Sequence, residues 1–229
     1  MLSKRKKLSK KEIKEDKLVT TYYKSIEFFE NNKQKIALYA GILAVVVVGI
    51  IFYVNYRNDQ NEKANLELSR VIPLYDAGSY LEAIEGRKGT KVLGLKKIVD
   101  EYGHYEYGEV AKIYLANAYN MLGKFDEALK FYEDYSGSND IYKATSKAGQ
   151  AGYYANKKEW EKAANLFMDA ANISKENVLN AEYLLNAGIY YKEAGNLDEA
   201  REIFKKVKKD YSNSMAAREV DRYLTVLED

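Results

Sequence analysis

Few side chains in this chain are equipped for chemistry. There is one histidine, His104, and no cysteine, which removes disulfides, thiolate metal sites and a cysteine nucleophile. His104 lies in EYGHYEYG (101–108), read as a Gly/Tyr-rich connection between helices, with no second histidine to complete a metal set. No G-x-S-x-G, phosphate-binding loop or G-x-G-x-x-G accompanies it. His104 is expected to be a loop residue packing near Tyr105 and Tyr107, and an enzyme acting through it is the rival reading. The paired acids Asp126-Glu127, Glu133-Asp134 and Asp198-Glu199 read as helix-end charges or a solvated face. The 22 tyrosines would suit base stacking, but residues 55–229 hold 25 Lys/Arg against 29 Asp/Glu, and a net negative charge opposes phosphate binding. Thus no catalytic residue, cofactor, metal, small-molecule substrate or nucleic acid is expected.

What dominates the chain is Ile36–Val54, IALYAGILAVVVVGIIFYV, nineteen residues without a charge, Asn or Gln. As a helix it is about 28 Å long, close to the ~30 Å hydrocarbon core of a bilayer. Lipid offers the backbone no hydrogen bonds, so a helix that satisfies its own is the expected form. Tyr39, Tyr53 and Tyr56 stand where interfacial aromatics belong. Ala37/Gly41 and Ala40/Ala44 are small residues four apart, a weak signal for a second helix. The run is longer than a cleavable signal's apolar core and no small-x-small site follows it, so an uncleaved anchor is expected.

Residues 1–35 carry 11 Lys/Arg against 5 Asp/Glu, with a cluster at Lys4, Arg5, Lys6 and Lys7. The positive-inside bias then puts the N-terminus in the cytoplasm and residues 57–229 on the other side. Leu18, Tyr22, Ile26 and Phe29 recur at helical spacing and predict an amphipathic helix on the membrane surface, stopped near Asn31-Asn32. The expected organisation is a tail with a pre-membrane helix (1–35), a transmembrane helix contacting the bilayer (36–56) and a helical domain (57–229).

Within that last part three segments align: AKIYLANAYNMLGKFDEALKFYEDY (111–135), SKAGQAGYYANKKEWEKAANLFMDA (146–170) and EYLLNAGIYYKEAGNLDEAREIFKK (182–206). Each has a small residue (Ala116, Ala151, Gly188) three before a tyrosine (Tyr119, Tyr154, Tyr191). A turn follows at Gly123, Lys158 or Gly195. Then come a large apolar residue (Phe125, Trp160, Leu197), an alanine (Ala128, Ala163, Ala200) and an aromatic (Tyr132, Phe167, Phe204). Small residues let two antiparallel helices approach, while the aromatics fill the wedge against the next pair. Gly78, Tyr80 and Ala83 suggest a degenerate first copy, interrupted by Gly86–Gly94 before a short helix Leu95–Tyr102. Ala216, Val220, Tyr223, Leu224 and Leu227 form a last amphipathic helix, suited to capping the array.

This pattern resembles the tetratricopeptide repeat. The fold class expected is all-α: one transmembrane helix followed by an α-solenoid of three clear repeats, one degenerate repeat and a capping helix. The resemblance implies a groove lined by the first helix of each pair, which would bind a protein or peptide partner. Its positions here would be Val110, Ile113, Asn117 and Asn120, then Thr145, Ala148 and Gly152, then Glu182, Leu185 and Ile189. Some members clamp a C-terminal carboxylate with Lys and Asn. Asn117 fits that pattern, but Ile113, Gly149 and Glu182 stand where Lys, Asn and Lys are needed, so no clamp is expected. The layout is similar to bacterial inner-membrane proteins of the ancillary Sec-translocon subunit type. That similarity implies a single-pass inner-membrane adaptor with a periplasmic domain, meeting translocon subunits or periplasmic chaperones. A scaffold for another envelope assembly, for secretion or division, is the alternative.

Overall fold

The computed structural model describes residues 10–228, which form ten α-helices with no β-strand among the described residues. Lys4, Arg5, Lys6 and Lys7 lie outside the described residues. The chain divides into two compact units, Met1–Tyr56 and Arg57–Asp229.

The first unit contains most of α1 (Lys10–Asp76). The stop expected at Asn31-Asn32 is absent. Asn32 Nδ2 donates to the Phe28 carbonyl at 2.8 Å, and Ser25 Oγ to that of Thr21 at 2.8 Å. Such bonds to the preceding turn satisfy a short polar side chain without ending the helix. Leu18, Tyr22, Ile26 and Phe29 are exposed. From Leu38 to Tyr56 every large apolar side chain is between 46% and 73% exposed. By length and composition α1 can cross a membrane, with a mean hydropathy of 2.6 in its most apolar window.

The second unit is an array of helix pairs. Its members are the end of α1 with α2 (Tyr80–Glu85) and α3 (Leu95–Tyr102), α4 (Glu106–Met121) with α5 (Phe125–Asp134), α6 (Asp140–Asn156) with α7 (Trp160–Ile173), and α8 (Asn180–Glu193) with α9 (Leu197–Asp210). The final helix, α10 (Met215–Glu228), covers α8 and α9. One turn geometry recurs. Gly123, Lys158 and Gly195 adopt φ of 74°, 63° and 85°, and the next amide reaches back to the carbonyl of Tyr119, Tyr154 or Tyr191 at 2.9 Å. Gly78, at φ 73°, makes the same turn with Ser79 bonded to Leu74. The degenerate first copy is therefore a repeat in its backbone. Within it, Gly86–Gly94 interrupts the second helix as an excursion closed by an isolated bridge between Gly86 and Leu93.

Phe125, Trp160 and Leu197 each open a second helix, and Ala128, Ala163 and Ala200 are buried where the partners approach. The aromatics reach into the following unit: Phe167 stacks on Tyr190 of α8 at 5.7 Å, and Phe204 on Tyr223 of α10 at 5.2 Å. Tyr132 lies against Gly149 of α6, where a Cβ would come within 2.3 Å of its ring. EYGHYEYG is shorter as a connection than its composition implies. Glu106, Tyr107 and Gly108 already belong to α4, because Gly108 lets α4 approach so closely that a Cβ would sit 1.7 Å from the Tyr102 carbonyl oxygen.

Candidate protein-binding face

The expected groove positions all lie on the first helices of the pairs, α4, α6 and α8. Helix α4 packs on α6 as well as on its own partner α5, and α8 packs on α10 as well as on α9. The ten positions expected to line a groove divide by burial. Val110, Ile113 and Leu185 are 8%, 2% and 6% exposed and belong to the two hydrophobic cores. Their side chains hold the helices together and present little surface. Asn120 and Glu182 are exposed, and Asn117, Thr145, Ala148, Gly152 and Ile189 are half-buried.

Asn117 is already engaged, since its Oδ1 accepts from the buried Tyr132 hydroxyl at 2.5 Å. Thr145 Oγ1 donates to the Ile141 carbonyl at 2.9 Å. At Gly152 a Cβ would meet open space. Gly149 is different, because the Tyr132 ring occupies the place of its missing side chain. The carboxylate clamp thus fails sterically at this position as well as chemically.

Beside Asn117 lies a row of half-buried tyrosines whose clustering the repeat alignment does not reveal. Tyr75 at the end of α1 meets Tyr80 at 5.4 Å and Tyr114 of α4 at 5.0 Å, both edge to face. Burial pushes the hydroxyl of Tyr75 upward against a hydrogen bond from Asn117 that lowers it, and burial likewise raises Tyr114. These hydroxyls stay protonated and serve as neutral donors and acceptors. Tyr80 is the aromatic that marked the first copy in the sequence, but Tyr75 precedes its turn and Tyr114 aligns with Gly149 and Asn186, so no recurring residue type marked those two.

The most buried charges are structural. Lys112 Nζ is 2.9 Å from both Glu109 and Asp134, and Glu109 accepts from the backbone N–H and hydroxyl of Ser136 at 2.8 Å. Burial lowers the Lys112 pKa, but its bonds to Asp134 and Glu109 outweigh burial and leave it raised. The cluster is satisfied, and it fastens the α5–α6 connection to α4. His104 is exposed, and its carbonyl accepts from Arg57 at 3.4 Å. Among the described residues no group of three His, Cys, Asp or Glu could hold a metal ion. What the face offers chemically is hydrogen bonding and apolar burial.

Comparison with known proteins agrees with this architecture. Residues 182–214, covering α8 and α9, match the tetratricopeptide repeat family. No curated protein sequence matches the chain significantly. Among solved structures, the chain is similar to the nearly identical TPR-like repeats of a kinesin light chain candidate from Podosopora anserina. That likeness has a TM-score of 0.56 at 15% identity over 73% of this chain and 86% of that one. A single-substitution form of the same repeats matches with the same score and identity over 73% and 85%. At that identity the likeness carries the fold alone. The fold is a TPR-like α-solenoid, and no enzymatic family is indicated.

Proposed function

We propose that this chain is a membrane-anchored, non-enzymatic adaptor whose TPR-like array holds a protein partner on the extracytoplasmic side. The observation that carries the proposal is the uncovered apolar stretch from Leu38 to Tyr56 in a chain whose buried apolar residues build a repeat array. The basic residues before the span set the orientation, with the N-terminus cytoplasmic and residues 57–229 beyond the membrane. Anchoring raises the effective concentration of the array beside the bilayer, so modest affinity suffices for capture. The partners are exported or envelope proteins at the Sec translocon, or periplasmic chaperones working there.

Two experiments test this reading. Because the chain lacks cysteine, a single Ser138→Cys substitution in the exposed α5–α6 connection reports topology. Its reaction with a membrane-impermeant maleimide, in cells with a permeabilised outer barrier, is the expected result. Protection would overturn the orientation and the extracytoplasmic role together. The second is in-cell photo-crosslinking from Asn120 and Ile189, chosen because Leu185 is buried and Asn117 is bonded to Tyr132. Adducts with translocon subunits, chaperones or exported chains support the adaptor. A single dominant envelope protein would replace the translocon assignment with a dedicated scaffold.

A further inference from the structure

The two most exposed large apolar side chains among the described residues lie outside the span. Val178, before α8, is 92% exposed and Met215, opening α10, is 82% exposed. Both border one cleft of about 280 Å³ between the starts of α8 and α10. Its lining includes Ala181 and Leu185, which are 4% and 6% exposed, so the floor is apolar and already packed. Glu182 and Glu219 add two carboxylates to the lining. Glu219 meets the exposed Arg222 at 3.3 Å, while Glu182 has no ion-pair partner among the described residues. A partner that covers Val178 and Met215 releases the water around them, which favours association. The cleft is smaller than the ~300–1,000 Å³ typical of small-molecule sites, which suits a single side chain of a larger molecule.

Resting on the adaptor reading, we infer that this cleft anchors an apolar side chain of a basic peptide segment in the partner. The apolar side chain enters between Val178 and Met215 and rests on Leu185. Flanking Lys or Arg residues face Glu182 and Glu219. Charge complementarity selects this occupant: the carboxylate of Glu182 repels an acidic segment and attracts a basic one, and the domain as a whole is net negative. Recognition by charge at the rim and burial at the centre is the arrangement by which protein interfaces obtain both specificity and affinity.

The test uses the full chain in phosphatidylcholine nanodiscs, with empty nanodiscs as the blank. Three fluorescein-labelled peptides of equal length are titrated: leucine flanked by lysines, leucine flanked by glutamates, and serine flanked by lysines. The lysine-flanked leucine peptide should bind saturably, and each of the others about tenfold or more weaker. Glu182→Lys should weaken the first peptide about tenfold, as should Val178→Ser combined with Met215→Ser. All of these positions are exposed, so the thermal melt should not move. Equal binding of the glutamate peptide, indifference to Glu182→Lys, or no saturable binding would overturn the inference. Crosslinks from Asn120 and Ile189 that persist in any such case leave the adaptor reading standing and sink the cleft alone.

Discussion

The stretch from Leu38 to Tyr56 and the array of residues 57–229 treat apolar side chains in opposite ways. In the first, large side chains such as Val45 and Phe52 are 73% exposed; in the second, Phe204, Leu184 and Val207 are essentially inaccessible. The difference lies in what accompanies the apolar residues. The array sets small residues at the contact positions: Ala128, Ala163 and Ala200 let helices approach, and Gly188 admits the Phe204 ring where a Cβ would lie 2.4 Å from it. The stretch also contains small residues, but a Cβ at Gly41 or Gly49 would meet nothing within 4 Å. Apolar surface left uncovered over that length is what the proposed anchor would place in a bilayer.

Substitutions can break that contrast one side at a time. The largest effect is expected from Phe204→Ala, which empties a fully buried site and should destabilise the array by about 3–5 kcal/mol. A chemical-denaturation midpoint reads this, and membrane association should be unchanged. Val46→Arg is the converse. A charge at the centre of the span costs about 2.5–3.5 kcal/mol of insertion free energy. The fraction of chain recovered with membranes should therefore fall while the array's melt stays put. Should Val46→Arg unfold the array instead, the division into two independent regions is wrong.

A smaller effect sharpens the description of the array itself. Tyr132→Phe removes the hydroxyl bonded to Asn117 and should cost roughly 1–2 kcal/mol. The same hydroxyl links stability to pH. Burial raises the pKa of Tyr132, and burial raises that of Tyr135 to about 12, above the ordinary value of 10.0. Both groups hold their protons more tightly folded than unfolded, so their contribution is intact below pH 10 and is lost as pH climbs through the raised values. Melting temperature should fall in that alkaline window, and Tyr132→Phe with Tyr135→Phe should flatten the fall. The smallest change has the opposite sign. Lys158 holds φ 63° at the turn where its counterparts are glycine, so Lys158→Gly should stabilise by about 0.5–1 kcal/mol in the same melt.

The repeat was legible in the sequence because its physics is local. A left-handed residue between two helices, a small residue where axes approach and an aromatic at the wedge recur at fixed spacing. Each of Phe125, Trp160 and Leu197 accordingly opens a helix where the alignment put it. The apolar run was equally legible, since length and lack of charge are properties of the chain alone. Tertiary structure decided the rest. Val110, Ile113 and Leu185 share the helical spacing of Asn120 and Glu182, yet only packing shows that the first three are consumed by the core. Gly149 reads as a missing polar ligand until the Tyr132 ring is found in its place. The cleft bordered by Val178 and Met215 joins the start of α8 to that of α10, whose spacing follows no repeat. Periodicity specifies which face of a helix is apolar; which part of that face stays open depends on the neighbours that arrive.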